Sequence, residues 1–337
     1  FGKWHLGNAE QGPDQPGYDV SIVTSGGHFG DKFRTIPPME VPKETYLADF
    51  LTDQTIAFIQ ENRQKPFFAF LSHYAVHIPL HAKEKLIQKY REKPKPETGV
   101  NNPIYAAMVE HVDHSVERLM TALDEQGLTE NTLVIFTSDN GGLYQSESRK
   151  GDIVCSNAPL RDEKGTLYEG GIRVPLIVRW KGTIQDGAIC DEPTISTDFW
   201  PTLAAVAKVD DFEHQEIDGK NLLPLFHDPN ASLDREAIYF HFPHYHHDRP
   251  AGAIRKGDWK LIEFFEDGRQ ELYNLKLDIS EEKNLLAKRP SESNLELAST
   301  MQRQLANWRK NVNAWMPTPN PDYDPKRELD IVRKRRR

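Results

Sequence analysis

Apolar side chains recur at helical spacing in two long segments of the chain. The first segment runs from Glu44 to Gln64, and the second runs from Asn102 to Gln126. Residues three or four positions apart share one face of a helix, so each pattern predicts an amphipathic helix. Pro66 is expected to end the first helix, because proline has no backbone N–H to donate.

Short apolar runs lie between and after these helices. They comprise Phe67 to Leu71, the "LVIFT" of "NTLVIFTSDNGG", and the "VPLIVRW" that follows a glycine pair. Continuous runs of this length predict strands buried on both faces. Strands that alternate with helices indicate an α/β fold with a mostly parallel sheet flanked by helices. Ligands of such sheets bind beyond the carboxyl ends of the strands.

The pattern changes after residue 236. The segment "GAIRKGDWKLIEFF", a turn at Asp267 and Gly268, and "RQELYNL" predict an antiparallel hairpin. A helix is expected over Asn294 to Asn311. We therefore expect a catalytic domain over 1–235, a C-terminal subdomain of antiparallel sheet plus helix over 236–316, and a proline-rich, basic tail over 317–337.

The charge balance excludes some classes of partner. The 42 Lys and Arg against 51 Asp and Glu give a net charge of -9, which opposes general attraction to nucleic acid or to an anionic membrane.

No apolar run approaches the roughly 20 residues that cross a bilayer. Two cysteines are too few for a disulfide framework, although a single bridge is compatible with the sequence.

Asp139 and Asn140 follow a predicted strand in "TSDNGG". Both side chains can face one ion if the backbone turns there, and Gly141 with Gly142 permits such a turn. Two oxygen ligands suit Ca²⁺ or Mg²⁺ rather than a soft metal. A plain turn is the alternative, because Asp, Asn and Gly are common turn residues.

Three basic side chains are candidates for binding an anion or transferring a proton. In "GKWHLG", Lys3 and His5 share a face if the segment is extended, and together they would face an anion. His77 lies in a loop after a predicted strand, where a histidine can donate a proton near neutral pH. A solvent-facing lysine and structural histidines are the alternatives. Nothing local explains Lys164, for which exposure is the default.

Together these segments resemble the type I sulfatases of the alkaline phosphatase superfamily. The segments "GKWHLG", "AVHIPL", "FTSDNGG" and "KGTLYEGGIRVPLIVRW" occur in that family's order, and "GAIRKGDWKLI" matches its C-terminal region. The resemblance runs from Phe1 to about Trp315. It implies an alkaline-phosphatase-like fold and hydrolysis of sulfate esters.

The resemblance also implies roles for single residues. Asp139 and Asn140 would be Ca²⁺ ligands, with Mg²⁺ the less favoured ion. Lys3 and Lys164 would bind sulfate oxygens, which need neutralising as the ester bond breaks.

The same resemblance assigns proton transfer. His5 would assist the nucleophile, and His77 would lie near the leaving-group oxygen. His77 or Lys164 would donate the proton that the departing alkoxide requires.

One part of the family pattern is missing. The nucleophile of the family is a formylglycine made from the cysteine of a C-x-P-S-R type motif that precedes "GKWHLG". Neither Cys155 nor Cys190 lies in such a motif, and an early aspartate pair that supplies further metal ligands is absent too. We therefore expect an N-terminally truncated sulfatase.

Two groups of histidines call for separate interpretations. His111 and His114 lie on the second predicted helix, where a structural role is favoured over a metal site. The segment "HFPHYHHDRPAG" carries His241, His244, His246 and His247. We expect it to form a pocket rim that contacts a sugar, with His244 as the substrate-binding candidate; a second metal site is the alternative.

The full-length protein is thus expected to release sulfate from a sulfated carbohydrate. It would require the formylglycine-generating enzyme and, by family habit, a periplasmic or secreted location. A phosphomonoester or phosphonate hydrolase on the same scaffold is one alternative. A catalytically dead protein that binds sulfated glycans is the other.

We expect the chain as given to show no sulfatase turnover, because the nucleophile and half of the metal ligands are missing from its sequence. Release of inorganic sulfate from an aryl sulfate and from sulfated oligosaccharides measures this. Robust sulfate release by the purified chain would contradict it.

Overall fold

The computed structural model describes residues 1–7, 9–97, 99–144, 153–209 and 216–324. It divides into two compact units, Phe1–Thr132 with Gln145–Cys155, and Leu133–Tyr144 with Ser156–Arg337. The expected boundary after residue 235 falls inside the second unit, so that domain division stays a prediction. The basic end of the chain lies outside the described residues.

Short strands in the first unit pair around the amino-terminal segment. Strands β1 (Val23–Gly26) and β2 (Phe33–Ile36) are antiparallel. Gly2 forms isolated parallel bridges with Val23 and with Ser72. The predicted strand over Phe67 to Leu71 therefore exists only as extended chain that meets Phe1–Lys3 through backbone hydrogen bonds.

Three helices complete the first unit: α1 (Leu47–Asn62), α2 (Glu84–Glu92) and α3 (Pro103–Glu125). The side chain of Asn102 caps α3 by accepting the backbone N–H groups of Ile104 and Tyr105, each at 3.1 Å. Pro103 suits the first helical position, where no N–H is needed. Both long helices predicted from the sequence are confirmed within a few residues.

A two-stranded ladder opens the second unit. Strands β3 (Val134–Thr137) and β4 (Leu176–Arg179) are antiparallel, and the short helix α4 (Glu169–Ile172) lies between them in sequence. Val178 packs in an apolar cluster on one face. On the other face Phe136 is 37% exposed and its partner Ile177 is 61% exposed. The prediction that these strands are buried on both faces is wrong for the described residues.

The expected parallel pairing is therefore limited. Among the described residues, parallel contacts occur only at the two Gly2 bridges, whereas the named strands form antiparallel ladders. Strand β4 runs in the direction opposite to β3, and α4 lies between the two strands in sequence.

Two short helices pack beside this ladder, α5 (Phe199–Val206) and α6 (Leu223–His227). Asp198, which is fully buried just before α5, accepts backbone N–H groups from Ile195 and Lys220 at 2.8 Å each. The Arg235 guanidinium lies 2.5 Å from the same carboxylate. These contacts satisfy a buried charge that would otherwise be costly.

The C-terminal part is a four-stranded antiparallel sheet in sequential order. It consists of β5 (Ile238–Phe242), β6 (Ala251–Lys256), β7 (Trp259–Phe264) and β8 (Gln270–Asn274), followed by α7 (Glu292–Asn311). One face, which includes Leu261, packs on α7. The other face, which includes Ile262, packs on Tyr168. The predicted hairpin and helix are confirmed.

Within the described residues, no helix combines the length and the apolar character needed to cross a bilayer.

We expect Met301→Ala to destabilise the second unit by about 2–5 kcal/mol, because it leaves a cavity between α7 and the sheet. Met301 is fully buried there, whereas Leu295 on the same helix is 52% exposed. Urea denaturation followed by circular dichroism measures the loss. Leu295→Ala is the control, and an equal loss in both variants would contradict the assigned packing.

Candidate functional site

Lys3 is held by the strand-like pairing of the amino-terminal segment. Its backbone N–H donates to the Ser72 carbonyl at 2.9 Å, and its ammonium lies 5.5 Å from the centre of the Tyr74 ring. A side chain at Gly2 would place a Cβ 2.0 Å from the Ser72 oxygen, so this close pairing requires glycine. The extended geometry ends at exposed His5, whose φ is 54°. The prediction that Lys3 and His5 share one face assumed that extension.

His77 lies in a loop built around Tyr74. Its backbone N–H donates to the Tyr74 carbonyl at 2.9 Å, and its Nδ1 lies 2.8 Å from the Ile78 carbonyl oxygen. Because a carbonyl only accepts, that contact assigns a proton to Nδ1. The rings of His77 and Tyr74 are 5.2 Å apart. Tyr74 therefore contacts both Lys3 and His77 and brings these two predicted residues together.

A buried histidine supports this loop from beneath. His28 is fully buried and its Nε2 donates to the His77 carbonyl at 2.9 Å. Its ring lies between those of Tyr46, at 5.9 Å, and Tyr74, at 4.9 Å. Burial lowers the pKa of His28 to about 4, so the ring is neutral at pH 7. The sequence pattern "GGHFG" did not indicate this role.

In the second unit, Asp139 and Asn140 occupy the turn after β3. Ser138 Oγ donates to the Asn140 carbonyl, and Asn140 Nδ2 donates to the Gly141 carbonyl, both at 2.9 Å. The second contact turns the amide so that Asn140 Oδ1 is available as an acceptor. The Asp139 carboxylate is exposed. One carboxylate and one amide oxygen on neighbouring residues fit a hard cation such as Ca²⁺ and would supply part of its six to eight ligands.

Lys164 lies against the same turn. Its backbone N–H donates to the Gly142 carbonyl at 3.3 Å, and the Gly141 N–H donates to the Gly171 carbonyl at 3.0 Å. A Cβ at Gly141 would come within 1.7 Å of the Gly170 oxygen, so the two backbones touch directly. The structure thus brings Lys164 beside Asp139 and Asn140.

The histidine-rich segment approaches Lys164 from the C-terminal sheet. A Cβ at Gly165 would lie 2.1 Å from His246 Nδ1, and His247 Nδ1 lies 3.3 Å from Glu163 Oε1. Glu163 also accepts the Tyr144 backbone N–H at 2.5 Å. His244 is exposed, with its ring 4.2 Å from that of Phe242. Glu163 was missed from the sequence because its partners lie far away along the chain.

The predicted residues are thus divided between the two units. Lys3, His5 and His77 belong to the first, whereas Asp139, Asn140, Lys164 and His244 belong to the second. The described residues hold no group of three or more His, Cys, Asp or Glu side chains arranged for a metal ion.

The structure also bears on His111 and on the two cysteines. His111 is buried with its ring stacked 3.9 Å from that of Tyr46, as a structural role requires. Cys155 is buried and Cys190 is exposed, and no disulfide joins these two described residues.

Comparison with known proteins decides the family. The sulfatase family model matches residues 1–209, and the model "N-sulphoglucosamine sulphohydrolase, C-terminal" matches residues 162–311. The chain belongs to the sulfatase family. A sulfatase of Formosa agariphila is 35% identical over 312 residues, which cover 86% of this chain and 55% of the relative. The sulfatase chain thus spans little more than half the length of this relative.

Solved structures confirm the predicted fold class. The crystal structure of Ps i-CgsB in complex with k-i-k-neocarrahexaose is similar, with a TM-score of 0.78 and 26% identity, over 98% of this chain and 75% of the other. The structure of BT4656 with its substrate D-glucosamine-2-N,6-O-disulfate has a TM-score of 0.72 and 20% identity, over 96% and 80%. The latter similarity concerns the fold alone.

We expect the first unit to lose stability as the pH falls below 6.5. Burial lowers the pKa of His28, His73 and His111 from 6.5 to about 4. Between these values the unfolded chain binds protons that the folded chain does not, so the stabilisation is complete above pH 6.5 and is lost towards pH 4. Each histidine contributes up to about 1.4 kcal/mol per pH unit.

His111→Phe tests this pH dependence, because phenylalanine retains the stacking on Tyr46 without a titrating group. Urea denaturation at pH 7 and pH 5 should show a loss smaller by about 2 kcal/mol in this variant than in the unmodified chain. His114→Phe, at a more exposed site of the same helix, is the control. The same loss at pH 5 in His111→Phe and in the unmodified chain would refute the assignment.

Proposed function

We propose that the natural protein containing this chain is a sulfuric ester hydrolase that releases sulfate from a sulfated carbohydrate. The observation that carries the proposal is the contact between the Lys164 backbone and the turn of Asp139 and Asn140. It sets a cation-bearing residue next to two hard oxygen ligands in a chain of the sulfatase family. That combination matches the needs of a sulfate monoester.

The chemistry explains why these residue types are needed. As the bond between sulfur and the leaving oxygen breaks, negative charge grows on the leaving oxygen. Lys3 and Lys164 would stabilise the sulfate oxygens electrostatically. His77, protonated at Nε2, would give its proton to the leaving alkoxide, since an unprotonated alkoxide is a poor leaving group. His5 would assist the nucleophile.

Ca²⁺ would be held in part by Asp139 Oδ and Asn140 Oδ1. When bound, it would neutralise charge on the sulfate group, and it suits these ligands better than Mg²⁺, which demands strict octahedral geometry. The nucleophile would be a formylglycine made by the formylglycine-generating enzyme. Buried Cys155 and exposed Cys190 lie outside the family motif, so neither is proposed as its precursor.

A carbohydrate is the substrate class favoured by the surroundings of Lys164. Gly165 packs directly against His246 and His247, so imidazole donors border the lysine. His244 would add a further contact to a sugar hydroxyl. The similar structure of Ps i-CgsB, at 26% identity, holds a neocarrahexaose. A polymeric sulfated substrate would be met outside the cytoplasm, which supports a periplasmic or secreted location.

Lys164→Met should lower sulfate release by the natural protein about 10²- to 10³-fold, because one stabilising charge is lost from the transition state. Lys276→Met is the matched control, since Lys276 is an exposed lysine of the same unit. Liberated sulfate is measured by ion chromatography on sulfated oligosaccharides of defined composition. Equal rates in both variants would exclude Lys164 from the site.

Paired sulfate and phosphate esters of the same alcohol decide between the enzymatic alternatives. Faster release of sulfate supports the proposal, whereas faster release of phosphate would replace it with a phosphomonoesterase. Binding of the sulfated oligosaccharide without any turnover by the natural protein would replace it with a glycan-binding role.

A further inference from the structure

A lysine that is not among the predicted site residues is buried inside the second unit. Lys260, on β7, is fully buried, and its ammonium lies 2.9 Å from Glu169 Oε1 and 2.8 Å from Glu281 Oε1. Both carboxylates are buried as well. A charge at such a position is tolerated only when it is paired, because desolvation costs several kcal/mol for each ion. The ammonium of Lys260 and the carboxylates of Glu169 and Glu281 therefore depend on each other and form a buried triad.

This buried triad holds helix α4 at its first residue. Glu169 begins α4, and its backbone N–H donates to Glu281 Oε2 at 2.6 Å. Lys260 holds the side chain of the same residue. The start of α4 is thus tied through its side chain to β7 and through its backbone to Glu281 in the loop after β8.

A second contact ties the segment on the other side of Lys164. The Arg161 guanidinium donates to the Tyr273 hydroxyl at 3.0 Å and to the Glu281 carbonyl at 2.8 Å. The Arg161 carbonyl accepts the Gly170 N–H at 2.7 Å. Glu281 therefore meets both ends of the segment, and Lys164 lies between them.

Helix α4 in turn supports the turn after β3. The Gly171 carbonyl accepts the Gly141 N–H, and the Gly170 oxygen packs where a side chain of Gly141 would lie. A shift of α4 would move this turn, which carries Asp139 and Asn140. Positions set to within about 1 Å matter for catalysis, since small misplacements can cost about 100-fold in rate.

We propose that Lys260 is a positioning residue for the sulfate site. Its ammonium, paired with Glu169 and Glu281, holds α4 and thereby sets Lys164 against the turn of Asp139 and Asn140. The inference rests on the proposed function for the identity of the ligand, but its geometric part is independent of it. The ion pairs of Lys260 are with Glu169 and Glu281.

Lys260→Met has two effects that must be separated. It removes the ion pair that ties α4 to β7, and it also takes the shared ammonium away from two buried carboxylates, of which Glu169 keeps only Arg173 at 3.7 Å. The loss of that ammonium destabilises the second unit whatever its function. The double variant Lys260→Met with Glu169→Gln removes one stranded charge and should recover part of the stability. Burial already raises the pKa of Glu281, so this carboxyl can take up a proton. The double variant keeps the Glu169 backbone N–H on Glu281 Oε2, but it still lacks the ion pair between Lys260 and Glu169 that ties α4 to β7.

Arg309→Met is the matched control. Arg309 on α7 forms a largely buried ion pair with Glu263 on β7 at 2.5 Å. Arg309→Met therefore breaks an ion pair that joins the same strand, β7, to α7 instead of α4. A general loss of stability would be shared by this variant, whereas a loss of position at α4 would not.

Hydrogen exchange of the purified chain is the first measurement. The backbone N–H groups of Gly141, Lys164, Gly170 and Gly171 all donate to carbonyls and report the position of α4. We expect their exchange to be about tenfold faster in Lys260→Met and to stay fast in the double variant. In Arg309→Met it should remain at the rate of the unmodified chain. If the exchange rates of these four N–H groups return to those of the unmodified chain in the double variant as its stability recovers, the proposal is overturned.

Titration calorimetry with inorganic sulfate in the presence of Ca²⁺ is the second measurement. Affinity should fall about tenfold in both Lys260 variants and be unchanged in Arg309→Met. Unchanged affinity in the Lys260 variants would overturn the positioning role. If the unmodified chain binds no sulfate, its part in the proposed sulfate site fails, and the exchange rates alone then decide whether Lys260 holds α4.

Discussion

The direct contact between two backbones, at Gly141 and at Gly170 with Gly171, is the constraint on which the second unit's candidate site depends. A Cβ added at Gly141 would lie only 1.7 Å from the Gly170 oxygen, so no other residue fits there without a shift of the backbone. Because the chain is so close there, the turn of Asp139 and Asn140 and the segment of Lys164 are fixed relative to each other. Neither segment carries the site alone.

An aromatic ring performs the corresponding task in the first unit. Tyr74 lies between the Lys3 ammonium and the His77 ring, and its hydroxyl donates to the Ile78 carbonyl at 2.8 Å. Behind it, neutral His28 bonds the His77 carbonyl. A charged imidazole at His28 would be buried away from water, which is unfavourable. Burial therefore lowers the pKa of His28 and also places its ring where it can bond the His77 carbonyl.

Sequence patterns predicted those features that depend on neighbouring residues. Helix α3 was placed to within a residue, because Asn102 caps it and Pro103 fits its start. The C-terminal hairpin follows from a local turn signal at Asp267 and Gly268. Pairing between distant segments was harder to predict: the chain before Ser72 has its partner at Phe1–Lys3, and the antiparallel return of β4 beside β3 has no local signal.

Buried charge explains why Lys260 and Glu163 escaped sequence reasoning, and it bears on how an acidic chain could offer the proposed anion site. A lysine inside "DWKLI" is a solvent-facing residue by default, and only the fold shows that Lys260 meets Glu169 and Glu281. That pairing offsets one of the two negative charges that these carboxyl groups can carry. Glu163, adjacent to Lys164, is likewise engaged by the Tyr144 N–H and the His247 ring. The net charge of -9 therefore says little about the local potential, which depends on which carboxylates already have partners.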